Sequence, residues 1–315
     1  MRRLRILTWQ VHGNYLYYLT QAPHEFFVLS KAGAPPGYAG RRGHLPWGDN
    51  VHDCPVERVR EEAFDCVLFQ SRLHYEKDQH EHLASAQRAL PRIYLEHDPP
   101  LGHPTNTVHF VDDPNVLIVH VTHYNALMWD CGRVPTRVVE HGVRVPEGVA
   151  WSGEIPRGVA VINHLARRGR RLGADVFDAW RREAPLDLYG MDAEASGGLG
   201  ELRYGELLPA VARHRFFAHP VRYTSLALAL CEAMMIGLPV IGLATTELPR
   251  VILESGGGYV DTEVARLVDA SRELLRDRGR AAELGRRARA YARERFGIER
   301  FAADWSAVFD EVTSA

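Results

Sequence analysis

Residues 222–250 read RYTSLALALCEAMMIGLPVIGLATTELPR, and the pattern predicts a helix, a tight turn, a buried strand and a second helix start. Thr224 and Ser225 offer hydroxyl caps ahead of an apolar run at 226–236. Gly237 supplies the helix stop, and Pro239 opens the strand VIGLA. Inside this greasy helix stands one carboxylate, Glu232. Seven residues advance a helix by about 700°, two turns less roughly 20°, which sets Glu232 on the face of Ser225. A helix N-terminus attracts phosphate, because its free N–H groups and its dipole both point at the anion. A carboxylate two turns down that face suits a diol, such as the ribose of a nucleotide. A salt-bridged surface Glu on a core helix is the bland alternative, and the helix by itself leaves both open.

The chain has 315 residues, enough for two ordinary domains or one large α/β domain. Its composition is globular, 46% hydrophobic and 25% charged. A net charge of −2 points away from nucleic acid and from strongly acidic partners. Cys54, Cys66, Cys131 and Cys231 are far apart with no C-x-x-C spacing, as free thiols in a reducing cytosol would be. A first strand expected close to Met1 leaves no room for a signal peptide, and no apolar run approaches about 18 residues. The expectation is a cytoplasmic protein. A peripheral membrane contact stays open, since lipid acceptors need no transmembrane segment.

Working outward, LRILTW (4–9) reads as the first strand, His12-Gly13-Asn14 as a turn, and 15–19 as a helix. EFFVLS (25–30) is the second strand, and the Gly-, Pro- and Arg-rich stretch 31–51 a long loop. CVLFQS (66–71) is a third strand. His74, His80 and His82 then sit among Glu76, Lys77, Asp78, Gln79 and Glu81, which favours a solvated helix face over a metal site. Strands follow at PRIYLEHDPP, ending in Glu96-His97-Asp98 and halted by Pro99-Pro100, at 115–121 and at 137–143, with a helix at 124–129 and a linker at VPEGVAWSGEIP. GVAVIN opens the second half as a strand, HLARRGRRLG is a basic loop, ADVFDAWRRE a helix, and LDLYG and RFFAHP strands. SGGGYV reads as a turn, 264–275 as a helix, and Ile298, Phe301, Ala302, Trp305, Val308, Phe309 and Val312 form one stripe of a terminal amphipathic helix. Strands alternating with helices imply parallel βαβ units, whose ligands gather at the strands' carboxyl ends.

The run CEAMMIGLPVIGLATTELPRVILESGGGYV resembles the Glu-Ala-Met-x-x-Gly-x-Pro-Val-(Val/Ile) signature of the retaining nucleotide-sugar glycosyltransferases of family 4, the glycosyl transferases group 1. GVAVINHLARRGRRLG and RRARAYARERFGIERF extend the likeness, and GVRVP is similar to the family's domain-closing motif. The first half fits mainly by element order. The resemblance implies an α/β fold of GT-B architecture, with two Rossmann-like domains whose parallel sheets face a central cleft. It implies an acceptor domain at 1–150, a donor domain at 151–296 and a helix at 297–315 crossing back to the first domain.

Roles follow from the resemblance position by position. Glu232 matches the second Glu of the family's Glu-x7-Glu motif and would hold the ribose hydroxyls. Ser225, Leu226 and Ala227 fall on the loop-to-helix backbone that meets the donor's sugar and β-phosphate, and Glu247 on the Glu that follows the signature. Arg167 and Arg168, with Arg171 close behind, match the basic pair that neutralises the leaving diphosphate; a solvated basic turn is the alternative. His164 stands where an Arg is expected. Gly13 and Asn14 match the glycine loop near donor and acceptor, where small residues let backbone come close. His97 matches a histidine near the reacting sugar, with a purely structural histidine as its alternative. Glu140, His141 and Gly142 receive no role.

One position departs from the family. Thr224 stands where the first acidic residue of the motif belongs, with His219, Arg222 and Tyr223 as candidates to compensate. The implied activity is transfer of a sugar from a nucleoside-diphosphate sugar to an acceptor hydroxyl, with retention. The enzyme would position both substrates in a dry cleft and stabilise the leaving diphosphate. No Asp-x-Asp motif occurs, since the segments at Asp113 and at 175–178 have the wrong pattern, so neither a metal nor another cofactor is required beyond the nucleotide-sugar co-substrate. Thr224 also motivates a non-catalytic sugar-nucleotide-binding or scaffold protein; a nucleotide-sugar epimerase is a third alternative. Base, sugar, acceptor and oligomeric state are not encoded legibly.

Overall fold

Short, largely apolar runs, most of them separated by helices, build two parallel sheets in a computed structural model that describes residues 2–43 and 45–314. His44, inside the predicted loop, lies outside the described residues, as do Met1 and Ala315. The chain divides into two compact units. One comprises 1–142 together with 298–315, the other 143–297.

In the first unit the elements run β1 (Arg5–Thr8), α1 (Gly13–Leu19), β2 (Glu25–Ser30), β3 (Val51–Pro55), β4 (Cys66–Phe69), α2 (Gln79–His82), α3 (Ser85–Arg88), β5 (Arg92–Glu96), β6 (Val116–His120), α4 (His123–Met128) and β7 (Thr136–Val138). β4 and β6 are buried at every position, as parallel strands covered on both faces must be. The sheet order is β3-β2-β1-β4-β5-β6-β7, so the winding reverses between β1 and β4. Leu7, Trp9, Phe69, Tyr94 and Ile118 form part of its core.

The second unit contains β8 (Ile155–Val161), α5 (Leu165–Arg168), α6 (Ala174–Arg181), β9 (Leu186–Tyr189), α7 (Tyr204–Ala212), β10 (His214–His219), α8 (Leu228–Ile236), β11 (Val240–Leu243), α9 (Leu248–Ser255), β12 (Gly258–Asp261), α10 (Val264–Arg276) and α11 (Arg278–Arg295). Its order, β12-β11-β10-β8-β9, reverses between β8 and β10. Phe177, Trp180, Phe216, Ile241 and Leu274 lie in its core, where the Trp180 indole donates to the buried Ser271 hydroxyl at 2.9 Å.

The last helix, α12 (Ile298–Ser314), belongs to the first unit. Phe301, Trp305, Val308 and Phe309 recur at helical spacing and are buried. Trp305 Nε1 donates to the Tyr15 hydroxyl of α1 at 3.2 Å, and Phe309 packs against His24 and Phe26.

Several expectations are corrected. β3 closes the predicted loop, and β12 replaces the end of the predicted turn; both are short edge strands whose Pro or Gly content hides them. Gly258 is required where it stands, because a Cβ there would lie 1.8 Å from the Val240 carbonyl oxygen. The strand expected at 137–143 is shorter, Thr136–Val138. HLARRGRRLG is α5 followed by a 3₁₀ turn, Gly169–Leu172, rather than a plain loop. α7 was hidden by Pro209 in its interior. His74 is not on a solvated face: it is buried in a π-helical turn, His74–Asp78, and stacks on Trp9 at 4.9 Å. His80 is exposed and His82 half-buried. Among the described residues, no three His, Cys, Asp or Glu side chains gather as a metal site would need.

Candidate functional site

In open parallel sheets, ligands bind beyond the carboxyl ends of the strands where the winding reverses. Each unit carries such a place.

In the second unit the place lies beyond β8 and β10. The chain leaves β8 through Asn163 and His164, and His164 takes the left-handed conformation (φ 53°). That is uncommon for a residue with a Cβ, and such strain clusters at ligand sites. His164 N donates to the Met191 carbonyl at 2.7 Å, and its ring approaches Asp192 at 3.9 Å. Farther on, Gly173 (φ 78°) lets the segment touch the turn after β10, since a Cβ there would fall 1.9 Å from the Pro220 carbonyl oxygen.

Four contacts sew the β8 and β10 loops together. Arg222 N and Tyr223 N donate to the Arg171 carbonyl at 3.1 and 3.0 Å. The Arg222 guanidinium grips both carboxylate oxygens of Asp175 and donates to the Arg170 carbonyl at 2.9 Å. Arg222, by its hydrogen bond and then its charge, holds the Asp175 carboxyl below the usual range. Arg170 also pairs with Asp175. The β11 loop joins from the other side: Thr245 Oγ1 donates to the Val221 carbonyl at 2.8 Å and Thr246 Oγ1 to the Ser225 carbonyl at 3.3 Å. Thr246 is left-handed too (φ 53°).

Thr224, Ser225, Leu226 and Ala227 therefore lie in a clamped loop, and the expected hydroxyl caps are corrected. Helix α8 starts at Leu228 with Ala227 at the cap position and no side chain capping it. Ser225 precedes the helix by three residues, so helical spacing does not relate it to Glu232. Glu232 is buried on the second turn, which removes the surface-Glu alternative. Of the basic residues, Arg167 is exposed, Arg168 half-buried, and Arg171 Nη1 is buried without a hydrogen-bond partner. Glu247 is buried at the start of α9 and ion-pairs with Arg250. Arg222, bound to Asp175, is not free to replace the missing motif carboxylate. Burial pushes His219, at the end of β10, down to about 4, so it is neutral at pH 7.

In the first unit, the reversal between β1 and β4 gathers imidazoles, a phenol and an amide. Gly13 and Asn14 open α1, directly after His12. The His97 ring, beyond β5, stands 4.3 Å from His12 and 4.7 Å from Tyr15, edge to face. Tyr15 also meets His141 at 5.7 Å. Burial, then His12 and His141, drive the His97 pKa well below its ordinary value. His97 Nε2 lies 3.1 Å from Gln70 Oε1, and its carbonyl accepts from Asn125 at 3.2 Å. Gln70, Tyr15 and Asp175 were not singled out in the sequence. Gln70 had a signal, as the first polar residue at the carboxyl end of an apolar strand.

The stretch 199–295 matches the model of glycosyl transferases group 1. No curated protein matches the chain in sequence. The fold is that of GT-B glycosyltransferases of known structure. The sucrose-phosphate synthase of Thermosynechococcus elongatus superposes with a TM-score of 0.69 at 14% identity, over 99% of this chain and 100% of that one. The Anabaena protein HepE, solved with UDP, gives 0.67 at 13% over 98% and 100%. A glycosyltransferase involved in avilamycin A biosynthesis gives 0.64 at 15% over 99% and 98%. Among the described residues, no helix is long and apolar enough to cross a membrane.

Proposed function

We propose that this chain transfers a sugar from a nucleoside-diphosphate sugar to an acceptor hydroxyl, with retention at the anomeric carbon and without a metal ion. The carrying observation is that the segment matching glycosyl transferases group 1 contains the buried Glu232 on the helix that leaves the β8/β10 reversal. HepE, of the same fold, has been solved with UDP and with UDP-glucose. In this reading the second unit takes the donor and the first the acceptor. Glu232 accepts from the ribose hydroxyls. Arg171, whose buried Nη1 lacks a partner, and the uncapped start of α8 face the charge that develops on the departing diphosphate. Arg167, Arg168, His164 and Glu247 line that loop set, while Gly13, Asn14 and His97 serve the sugar and acceptor. The protein works in the cytoplasm, with peripheral contact to a membrane if its acceptor is a lipid.

Thr224 favours a second reading, a sugar-nucleotide-binding scaffold without turnover. A thermal-shift panel of nucleoside diphosphates identifies the base. Transfer and hydrolysis assays over the matching nucleotide sugars, run with a chelator, then separate the readings. Turnover with retained anomeric configuration supports the transferase; tight binding with no turnover of any donor supports the scaffold.

A further inference from the structure

Gln70 immediately follows β4 at the carboxyl end of the first sheet, where the winding reverses, and its side chain is buried. Its Nε2 lies 3.1 Å from Thr8 Oγ1 and 2.9 Å from the Trp9 carbonyl oxygen. A backbone carbonyl only accepts, so the NH₂ end of the amide must face β1. That leaves Oε1 toward His97, 3.1 Å from Nε2. An amide oxygen also only accepts, so His97 Nε2 must carry the hydrogen. A neutral imidazole has one N–H, and the bond made by one nitrogen sets the state of the other.

We infer that Gln70 fixes the tautomer of His97, keeping its proton on Nε2 and presenting Nδ1 as a hydrogen-bond acceptor to a substrate hydroxyl. The chain of constraint runs from the Trp9 carbonyl through the Gln70 amide to the imidazole, and each link follows from which atoms can donate. His97 is half-buried, and Nδ1 is the nitrogen that the bond to Gln70 leaves for a ligand. The titratable groups around it are His12, His141 and Tyr15, with Glu96 and Asp98 flanking it in the chain. The Glu96 carboxylate is engaged elsewhere, by His109 Nε2 at 3.2 Å and by the Asp98 N–H at 3.0 Å. Burial, and then the neighbouring His12 and His141 imidazoles, resist a second proton on His97. Gln70 is thus a positioning residue: it touches no reacting atom but decides which nitrogen of His97 can receive a hydroxyl proton. This role for His97 rests on the transferase reading; the tautomer itself does not.

The test is long-range ¹H–¹⁵N correlation on protein labelled with ¹⁵N-histidine, with His97→Gln for assignment. The Nε2-protonated tautomer is expected at pH 7; the Nδ1-protonated form, or a mixture, overturns the inference. No nucleotide sugar is needed. If the tautomer is found and no donor is ever turned over, the transferase reading fails while the assignment stands. In Gln70→Glu the new carboxylate favours the imidazolium, so His97 titrates at higher pH and the acid limb of the transfer profile moves up with it. An unchanged His97 titration in folded Gln70→Glu overturns the inference. Gln70→Leu lets the tautomers mix, and kcat falls roughly tenfold or more while KM for the donor holds. Should either variant fail to fold, the wild-type spectrum decides alone.

Discussion

At the reversal between β1 and β4 the converging side chains are Gln70, His97 and Tyr15, all neutral at pH 7. At the reversal between β8 and β10 they are Arg170, Arg171, Asp175 and Arg222, all charged. Two sheets wound by one rule have been fitted with opposite chemistry. The first set is of a kind that would exchange hydrogen bonds with hydroxyls, and in the proposed transferase the second would offer cationic groups to a phosphate. A fold places the site, and the side chains decide what the site recognises.

That contrast extends to acid stability, where the largest effect is expected. In the first unit, burial pushes His74 and His120 down to about 4, and His97 is lowered as well. In the second unit His219 is pushed to about 4 by burial. The unfolded chain binds these protons near pH 6.5, and in the folded chain His74, His120 and His219 take theirs only near pH 4. Stability therefore holds above pH 6.5 and is lost as pH falls from there toward 4. The cost is on the order of 3 kcal/mol per buried imidazole. Hydrogen exchange at pH 7 and pH 5 should show β1, β4 and β6 losing protection ahead of β8 and β10. Simultaneous loss would erase this difference between the units.

Glu232 comes next. Removing a carboxylate that accepts hydrogen bonds from a ligand costs about 1.5–3 kcal/mol, so Glu232→Ala should weaken nucleotide binding roughly ten- to a hundredfold. Calorimetry with the matching nucleoside diphosphate measures it. Nucleotide affinity equal to wild type sinks the ribose assignment, whereas His97→Ala should leave that affinity nearly intact. If instead both substitutions weaken it equally, the division between a neutral and an ionic site collapses.

How far the sequence was readable follows from the reach of each interaction. EFFVLS has four consecutive apolar residues between Glu25 and Ser30, and its predicted span coincides with β2. β3 and β12 escaped because Pro55 and Gly258 carry turn chemistry that edge strands tolerate. The hydroxyls of Thr224 and Ser225 suggested a cap, yet that segment is a bend whose Ser225 carbonyl is held by Thr246 of the β11 loop, and α8 starts only at Leu228. Gln70 meets Thr8 across 62 positions, and Arg222 meets Asp175 across 47. No local pattern marks such partners. Only the parallel winding brings them together, so the motif helix was legible and the groups that brace the two sites were not.

The smallest effect concerns that brace. Arg222 reaches Asp175 in a two-pronged, partly exposed contact, and such ion pairs contribute about 0.5–1 kcal/mol each. Stability should therefore change little in Asp175→Asn or Arg222→Gln. The β10–α8 loop, however, is tied to the β8 loop largely through this pair and the two backbone bonds to Arg171. Freed from it, Thr224 to Ala227 would have to be ordered by the ligand itself. KM for the donor should then rise severalfold, with kcat falling less. A double-mutant cycle on the nucleotide's dissociation constant should give a coupling of about 0.5–1 kcal/mol. Additive single effects would mean that the pair does not act as a unit. The charged groups of the second unit would then serve the ligand separately, unlike the linked amide and imidazole of the first.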